Sequence, residues 1–353
     1  MKTGFFSEHM EFTAVDLFCG AGGLTKGLND AGFKVLAGVE VHPIAAQTYR
    51  ANHPKHVLFE RDIRALSVKE VAHELNLTPG ELDLLAGCPP CQGFSTHRTR
   101  RKASAVEDDR NDLIFEFMRF VKELLPKVVM MENVPALATD SRAYKVLNEL
   151  KELGYLIDQK SLQVKDAAYY GVPQRRKRMI LLASRLGFVN EPKPVDSPQT
   201  VRDYLATLPE PGTKNDVLHD YFPIRSEKVN RIISLIPKDG GSRKQLPKEY
   251  WLPCHLKSNG GYLDVYGRMA WNKVAPTITG GCTNPSKGRF LHPEQNRAIT
   301  LREAALLQTF PDDYKFSLAG GRDFAALMIG NALPPLFISA HAKKISEHLE
   351  SHT

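Results

Sequence analysis

FTAVDLFCGAGGLTKGL, residues 12–28, passes from an apolar run straight into a cluster of glycines and then into helix-forming chain. That is the pattern of a buried strand turning sharply into a helix. The same rhythm continues downstream. Apolar runs recur as VLAGV (35–39), LDLLAG (82–87), VVMME (128–132) and MILLAS (179–184). Between them lie amphipathic stretches such as LIFEFMRFVKELL (113–125) and AYKVLNELKELG (143–154), the latter closed by Gly154 as a C-cap. Strands alternating with helices predict an α/β, Rossmann-like, parallel sheet covered on both faces, with ligands bound at the carboxyl ends of its strands.

The rhythm stops between Arg185 and Asn296. That segment holds 12 of the 23 prolines and 10 of the 25 glycines, so long regular helices are not expected in it. It also carries 16 Lys and Arg against 11 Asp and Glu, most of the chain's net charge of +7. The expected division is therefore residues 1–184, a loop-rich basic domain over 185–296, and a return segment, 297–353. In the return segment, TLREAALLQTF (300–310) and LFISAHAKKISEHL (336–349) read as helices, the first with Thr300 as N-cap. At 353 residues and 42% apolar composition the chain can bury a large core. Five scattered cysteines do not make a secreted disulfide framework, so a reducing, cytoplasmic location is expected. No apolar run approaches the length of a membrane span, and the first dozen residues lack a signal-peptide pattern.

Gly20, Gly22 and Gly23 permit backbone conformations and close approaches that a side chain would block. They do not make the dinucleotide fingerprint, because Thr25 stands where its third glycine belongs. Glu40 ends the second apolar run, where a carboxylate can accept from ribose hydroxyls, and Asp62 is placed to meet an adenine amino group. A plain tight turn with a surface acid is equally consistent with these residues.

LDLLAG leads into CPPCQGFSTHRTRRK, residues 88–102. Two prolines stiffen the turn, and the basic cluster after it, with Ser95, suits phosphates and favours a thiolate. A zinc half-site lacks its second pair of ligands, so no metal is expected, and a redox dithiol would open a helix rather than a polar loop. Buried structural cysteine remains the main alternative for Cys88. Glu132 and Asn133 directly follow VVMME's apolar core, and QRRKR (174–178) precedes MILLAS. Taken separately, such residues are more often a cap or ion pair and a solvated basic face.

Taken together, the ordered blocks DLFCGAGG, PPCQGFS, ENV, QRRKR, RAITLREAALLQTFPDDY (297–314) and GNALPP (330–335) resemble those of the cytosine C5 DNA methyltransferases. The resemblance covers 12–184 and 297–348 and implies a methyltransferase sheet with a smaller target-recognition domain inserted at the composition break. It implies that Cys91 attacks C6 of a flipped cytosine, that Glu132 acts at the N3 edge, and that Arg178, supported by Arg176, holds O2 and a phosphate. S-adenosylmethionine would lie along Phe18, Gly20, Gly22, Gly23, Leu24, Glu40, Asp62, Ile63, Pro89, Leu113, Asn331 and Ala332. Double-stranded DNA would meet Ser95, Arg98, Arg100 and Arg101, in a loop that closes on it, and Thr277 and Thr279 in the second domain. A monomer is expected, in a restriction-modification system with a cognate endonuclease or as a solitary or phage methylase. A transfer RNA methyltransferase on the same fold is the nearest rival. GFS at 93–95 and Gly281, Cys282, Thr283 in the second domain depart from that branch, and the presence of Cys91, Glu132, Arg176 and Arg178 disfavours a noncatalytic DNA-binding relative.

Overall fold

A computed structural model describes residues 11–90, 112–213, 215–221, 223–252, 256 and 264–353. Seven strands form one sheet in the order β3-β2-β1-β4-β5-β7-β6. The strands are β1 (Thr13–Leu17), β2 (Lys34–Val39), β3 (Val57–Phe59), β4 (Leu84–Gly87), β5 (Val128–Asn133), β6 (Leu162–Asp166) and β7 (Lys177–Ser184). The five apolar runs read from the sequence are β1, β2, β4, β5 and β7. Strands β1 to β5 pair in parallel.

The expectation of a wholly parallel sheet fails at one end. β7 is antiparallel to both β5 and β6. The link from β6 to β7 holds only a short 3-10 helix, Ala167–Tyr170, closed by Gly171 in the left-handed region. A parallel pair needs a long crossover, usually a full helix, so this compact link reverses the chain instead.

Alternation along the strands divides the core. Val15, Leu17, Leu85, Val129 and Met131 point to one face, beneath α3 (Val68–Glu74), α4 (Leu113–Leu124) and α5 (Ser141–Glu152). Ala14, Leu84, Ala86, Val128 and Met130 point to the other, with Leu24 and Leu28 of α1 (Gly23–Asp30) and Phe337, Ile338 and Ile345 of α10 (Pro335–Glu350). α2 (Pro43–Asn52) starts with Pro43 at N1 and the His42 side chain accepting from the Ile44 amide.

Among the described residues, the proline-rich segment holds no strand and two short helices, α6 (Val201–Leu205) and α7 (Glu227–Leu235). Residues on both sides of the expected boundary share a cluster. Val201, Leu205, Ala275 and Ile278 pack with Ala304 and Leu307 of α8 (Leu301–Leu307) and with Ala325 and Ile329 of α9 (Gly321–Asn331). A second, smaller cluster gathers Ile232, Ile233, Ile236, Leu246, Tyr266 and Leu291. α8 opens with the expected Thr300 cap, completed by Glu303 as a capping box. The stretch Gly321–Glu350 is long and apolar enough on average to cross a membrane, but two-thirds of its most apolar window (67%) is buried inside the fold.

Candidate active site

The carboxyl ends of β1, β2, β4 and β5 open on one edge of the sheet, and the expected site residues described here gather along it or pack against it. At the end of β1, Phe18 and Gly20 both take positive φ, 63° and 54°. A Cβ on Gly20 would find no atom within 4 Å, so this backbone is open to a ligand. Gly22 and Gly23 are glycine for a different reason. A Cβ on Gly22 would sit 2.6 Å from His53 Nε2 and 2.7 Å from the Tyr314 hydroxyl, and one on Gly23 would overlap the Leu333 carbonyl. The protein itself fills the space there.

Glu40 closes the turn from the β2 side. Its Oε2 accepts from the Gly20 amide at 2.9 Å and its Oε1 from the His42 amide at 2.7 Å. Burial raises its proton affinity against these two bonds. Each carboxylate oxygen keeps a second acceptor position. Asp62 caps the 3-10 helix Ile63–Ala65 through the Arg64 amide, and its carboxylate meets the Arg64 guanidinium, which holds its pKa below the ordinary value. Leu24 and Ile63 turn their side chains into the core. Leu113 starts α4 and packs at the margin of the core.

Glu132 stands at the end of β5, 7% exposed, with Arg178 Nε of β7 2.8 Å from its Oε1. The Cys88 thiol, just beyond β4, also favours the charged form of this carboxyl. Burial pushes the Glu132 pKa up, while Arg178 and Arg176 pull it down, and burial prevails. The Asn133 side chain donates to the Pro89 carbonyl at 2.9 Å, which fixes the turn leaving β4 against the end of β5. Cys91, Ser95, Arg98, Arg100 and Arg101 lie outside the described residues.

Arg176 does not share Arg178's setting. It is 1% exposed, and its guanidinium donates to the carbonyls of Ile278, Gly330, Asn331 and Ala332 at 3.0, 3.0, 3.5 and 2.9 Å. These bonds brace the backbone that carries Asn331 and Ala332, while the Arg176 Nε is buried without a hydrogen-bond partner. Thr277 donates to the Arg175 carbonyl at 2.5 Å, and Thr279 accepts from the Gly281 amide at 3.4 Å.

Asp16 was not singled out from the sequence, although it begins the glycine-rich block. Its Oδ2 accepts from the Thr25 amide and hydroxyl at 3.1 and 2.6 Å, tying β1 to the first turn of α1. Its Oδ1 is buried without a partner. Burial, offset in part by Thr25, pushes its pKa up to about 7. A separate cavity of about 660 Å³, lined by Leu156, Ser161, Phe188 and Lys344 among others, contains none of the expected site residues.

The described edge thus joins an open glycine turn and the Glu40 carboxylate that closes it to a buried Glu–Arg pair. Comparison with known proteins identifies the family. Residues 12–347 match the family described as C-5 cytosine-specific DNA methylase. The chain is 38% identical over 352 residues to the Type II methylase M.HgiDII of Herpetosiphon aurantiacus, with 95% of each covered. It is 34% identical to the Type II methyltransferase M1.HphI of Haemophilus parahaemolyticus, covering 95% of this chain and 87% of that protein. Among solved structures, a prophage-encoded E. coli chain assigned as a DNA modification methyltransferase superposes with a TM-score of 0.73 at 24% identity, covering 96% of this chain and all of that one. Spodoptera frugiperda DNMT2 follows the same fold, with a TM-score of 0.65 at 17% identity over 95% of this chain and 99% of that one.

Proposed function

The chain belongs to the C-5 cytosine-specific DNA methylase family, and from that footing we propose which of its residues carry the reaction. The protein is a DNA cytosine-5 methyltransferase, and S-adenosylmethionine is its methyl donor. When bound, that cofactor supplies a methyl group made electrophilic by its sulfonium. The residues present fit it: open backbone at Gly20, spare acceptor positions on Glu40 and the Phe18 ring provide clearance, ribose acceptors and an apolar contact. Asn331, Ala332, Pro89 and Leu113 complete the proposed cleft, with Asp62 toward the adenine. Gly22, Gly23, Leu24 and Ile63 shape it from behind.

Cys91 adds its sulfur to C6 of a cytosine turned out of the duplex, because C5 alone is too poor a nucleophile to take the methyl group. Glu132 donates a proton to N3, which lets the ring accept electrons from the thiolate, and Arg178 holds O2. C5, made nucleophilic by the thiolate addition, would then take up the methyl group that the bound sulfonium supplies. A base, for which water can serve, takes the C5 proton, the Cys91 sulfur departs to restore the 5,6 double bond, and N3 returns its proton to Glu132. The observation that carries this assignment is the buried Glu132–Arg178 pair facing the exit of β4.

Double-stranded DNA is held by Ser95, Arg98, Arg100 and Arg101 and by the segment around Thr277 and Thr279. Residues 185–296 act as the target-recognition unit, inserted between 1–184 and 297–353. The protein works as a cytoplasmic monomer in a bacterial or phage modification system, paired with a restriction endonuclease or solitary. Two measurements test the reading. Labelled methyl transfer is expected to duplex DNA and not to transfer RNA. Duplexes with 5-fluorocytosine at the recognition site are expected to yield a denaturation-resistant adduct that Cys91→Ala abolishes while cofactor still binds. Transfer retained by Cys91→Ala would refute the nucleophile.

A further inference from the structure

Three buried side chains join segments that are far apart in sequence. Gln174, fully buried, donates to the Leu307 carbonyl at 2.9 Å and to Gln308 Oε1 at 2.7 Å, and its own oxygen accepts from the Ile278 amide at 3.0 Å. Gln308, also fully buried, donates to the carbonyls of Ile329 and Ala332 at 2.5 and 3.3 Å. Arg176 completes the ring by gripping the Ile278 carbonyl and the backbone of 330–332. The Ile278 peptide is thereby held at both its N–H and its C=O.

No slack separates the two backbones so joined. A Cβ on Gly330 would overlap the Gly280 nitrogen and the Thr279 carbonyl carbon, and one on Gly280 would lie 2.7 Å from Leu327 Cδ1 of α9. The 277–280 segment is seated directly on the chain that carries Asn331 and Ala332. Such close-packed contacts transmit a displacement instead of absorbing it.

We propose that Gln174, Arg176 and Gln308 are positioning residues that couple DNA contact at 277–280 to cofactor affinity at 330–332. This rests on the assignment of those two segments to DNA and cofactor given above. The three side chains touch neither ligand. They fix the relation between two ligand-bearing backbones, so a duplex that settles 277–280 also settles Asn331 and Ala332. The linkage is reciprocal, since whatever factor DNA confers on cofactor affinity, cofactor must confer on DNA affinity.

The test uses the full-length protein, S-adenosylhomocysteine as unreactive cofactor, and linear unmethylated plasmid DNA. The ratio of cofactor Kd without DNA to Kd with DNA is expected to be at least about fivefold in the unaltered protein. Gln308→Met, which keeps the volume and removes the amide, is expected to bring that ratio below about twofold. Gln174→Met should do the same, and the double variant should add little, as expected for two partners in one contact. A merely structural role would shift both Kd values together and leave the ratio unchanged. If either methionine variant fails to fold, Arg176→Lys, which keeps the charge but reaches fewer carbonyls, reads the same ratio. A ratio near one in the unaltered protein, or an unaltered ratio in the variants that fold, overturns the proposal. Methyl transfer to DNA by the unaltered protein, measured alongside, separates that outcome from failure of the functional reading itself.

Discussion

Cys88 illustrates how one side chain can tune another without touching substrate. Its thiol lowers the proton affinity of Glu132, in the same direction as the Arg178 charge and against burial. Glu132 works as a proton donor in the proposed reaction, so activity persists below its pKa and falls as pH rises through it. Removing the thiol raises that pKa. Cys88→Val is therefore expected to move the alkaline limb of the kcat/KM profile upward, and Cys88→Ser, which keeps a hydroxyl donor, to leave it near its original place. Limbs that coincide in Cys88→Val and the unaltered protein would remove Cys88 from this role. The charged residues at strand ends, Glu132 and Arg178, were legible in sequence because each interrupts or borders an apolar run. The different fate of Arg176 was not, since its acceptors are carbonyls at 278 and 330–332, which no local pattern connects to it.

Among elements, the join between β1 and α1 depends on a carboxyl that resists ionisation. Asp16 has a folded pKa of about 7 against an ordinary value of 3.8, so between those values the folded state binds more protons than the unfolded chain. Stability contributed by this group is then greatest at low pH and falls as pH rises from about 4 to about 7. The full effect is bounded by about 4 kcal/mol. Asp16→Asn keeps an acceptor for Thr25 and removes the titration. Its melting temperature is expected to decline less between pH 5 and pH 8 than that of the unaltered protein, and parallel declines would contradict this. Buried strands announced themselves by unbroken apolar runs, whereas β3 and β6 did not. β3 is three half-buried residues, and β6 is an edge strand whose Val164 is exposed. The reversal of β7 was hidden because direction is set by the linking turn and not by the strand's own residues.

At the scale of the molecule, the excess of positive charge resides chiefly in residues 185–296. Phosphate contact from that side releases counterions, so duplex affinity is expected to fall at least about tenfold between 50 and 200 mM salt. A titration showing no salt dependence would remove the insert from the DNA interface. The break in composition was readable because prolines and glycines forbid long helices wherever they cluster. The shared packing of 201–290 with α8 and α9 was invisible, since it depends on which distant helix closes over which loop. One face of the sheet has a consequence for synthesis. Ala14, Leu24 and Leu28 are covered by Phe337, Ile338 and Ile345 of α10. A ribosome must have translated nearly to residue 350 before that lid exists, so most of the nascent protein waits with a bare greasy surface. During that interval the uncovered apolar face makes the emerging chain prone to aggregate, a hazard that ends once the final helix docks.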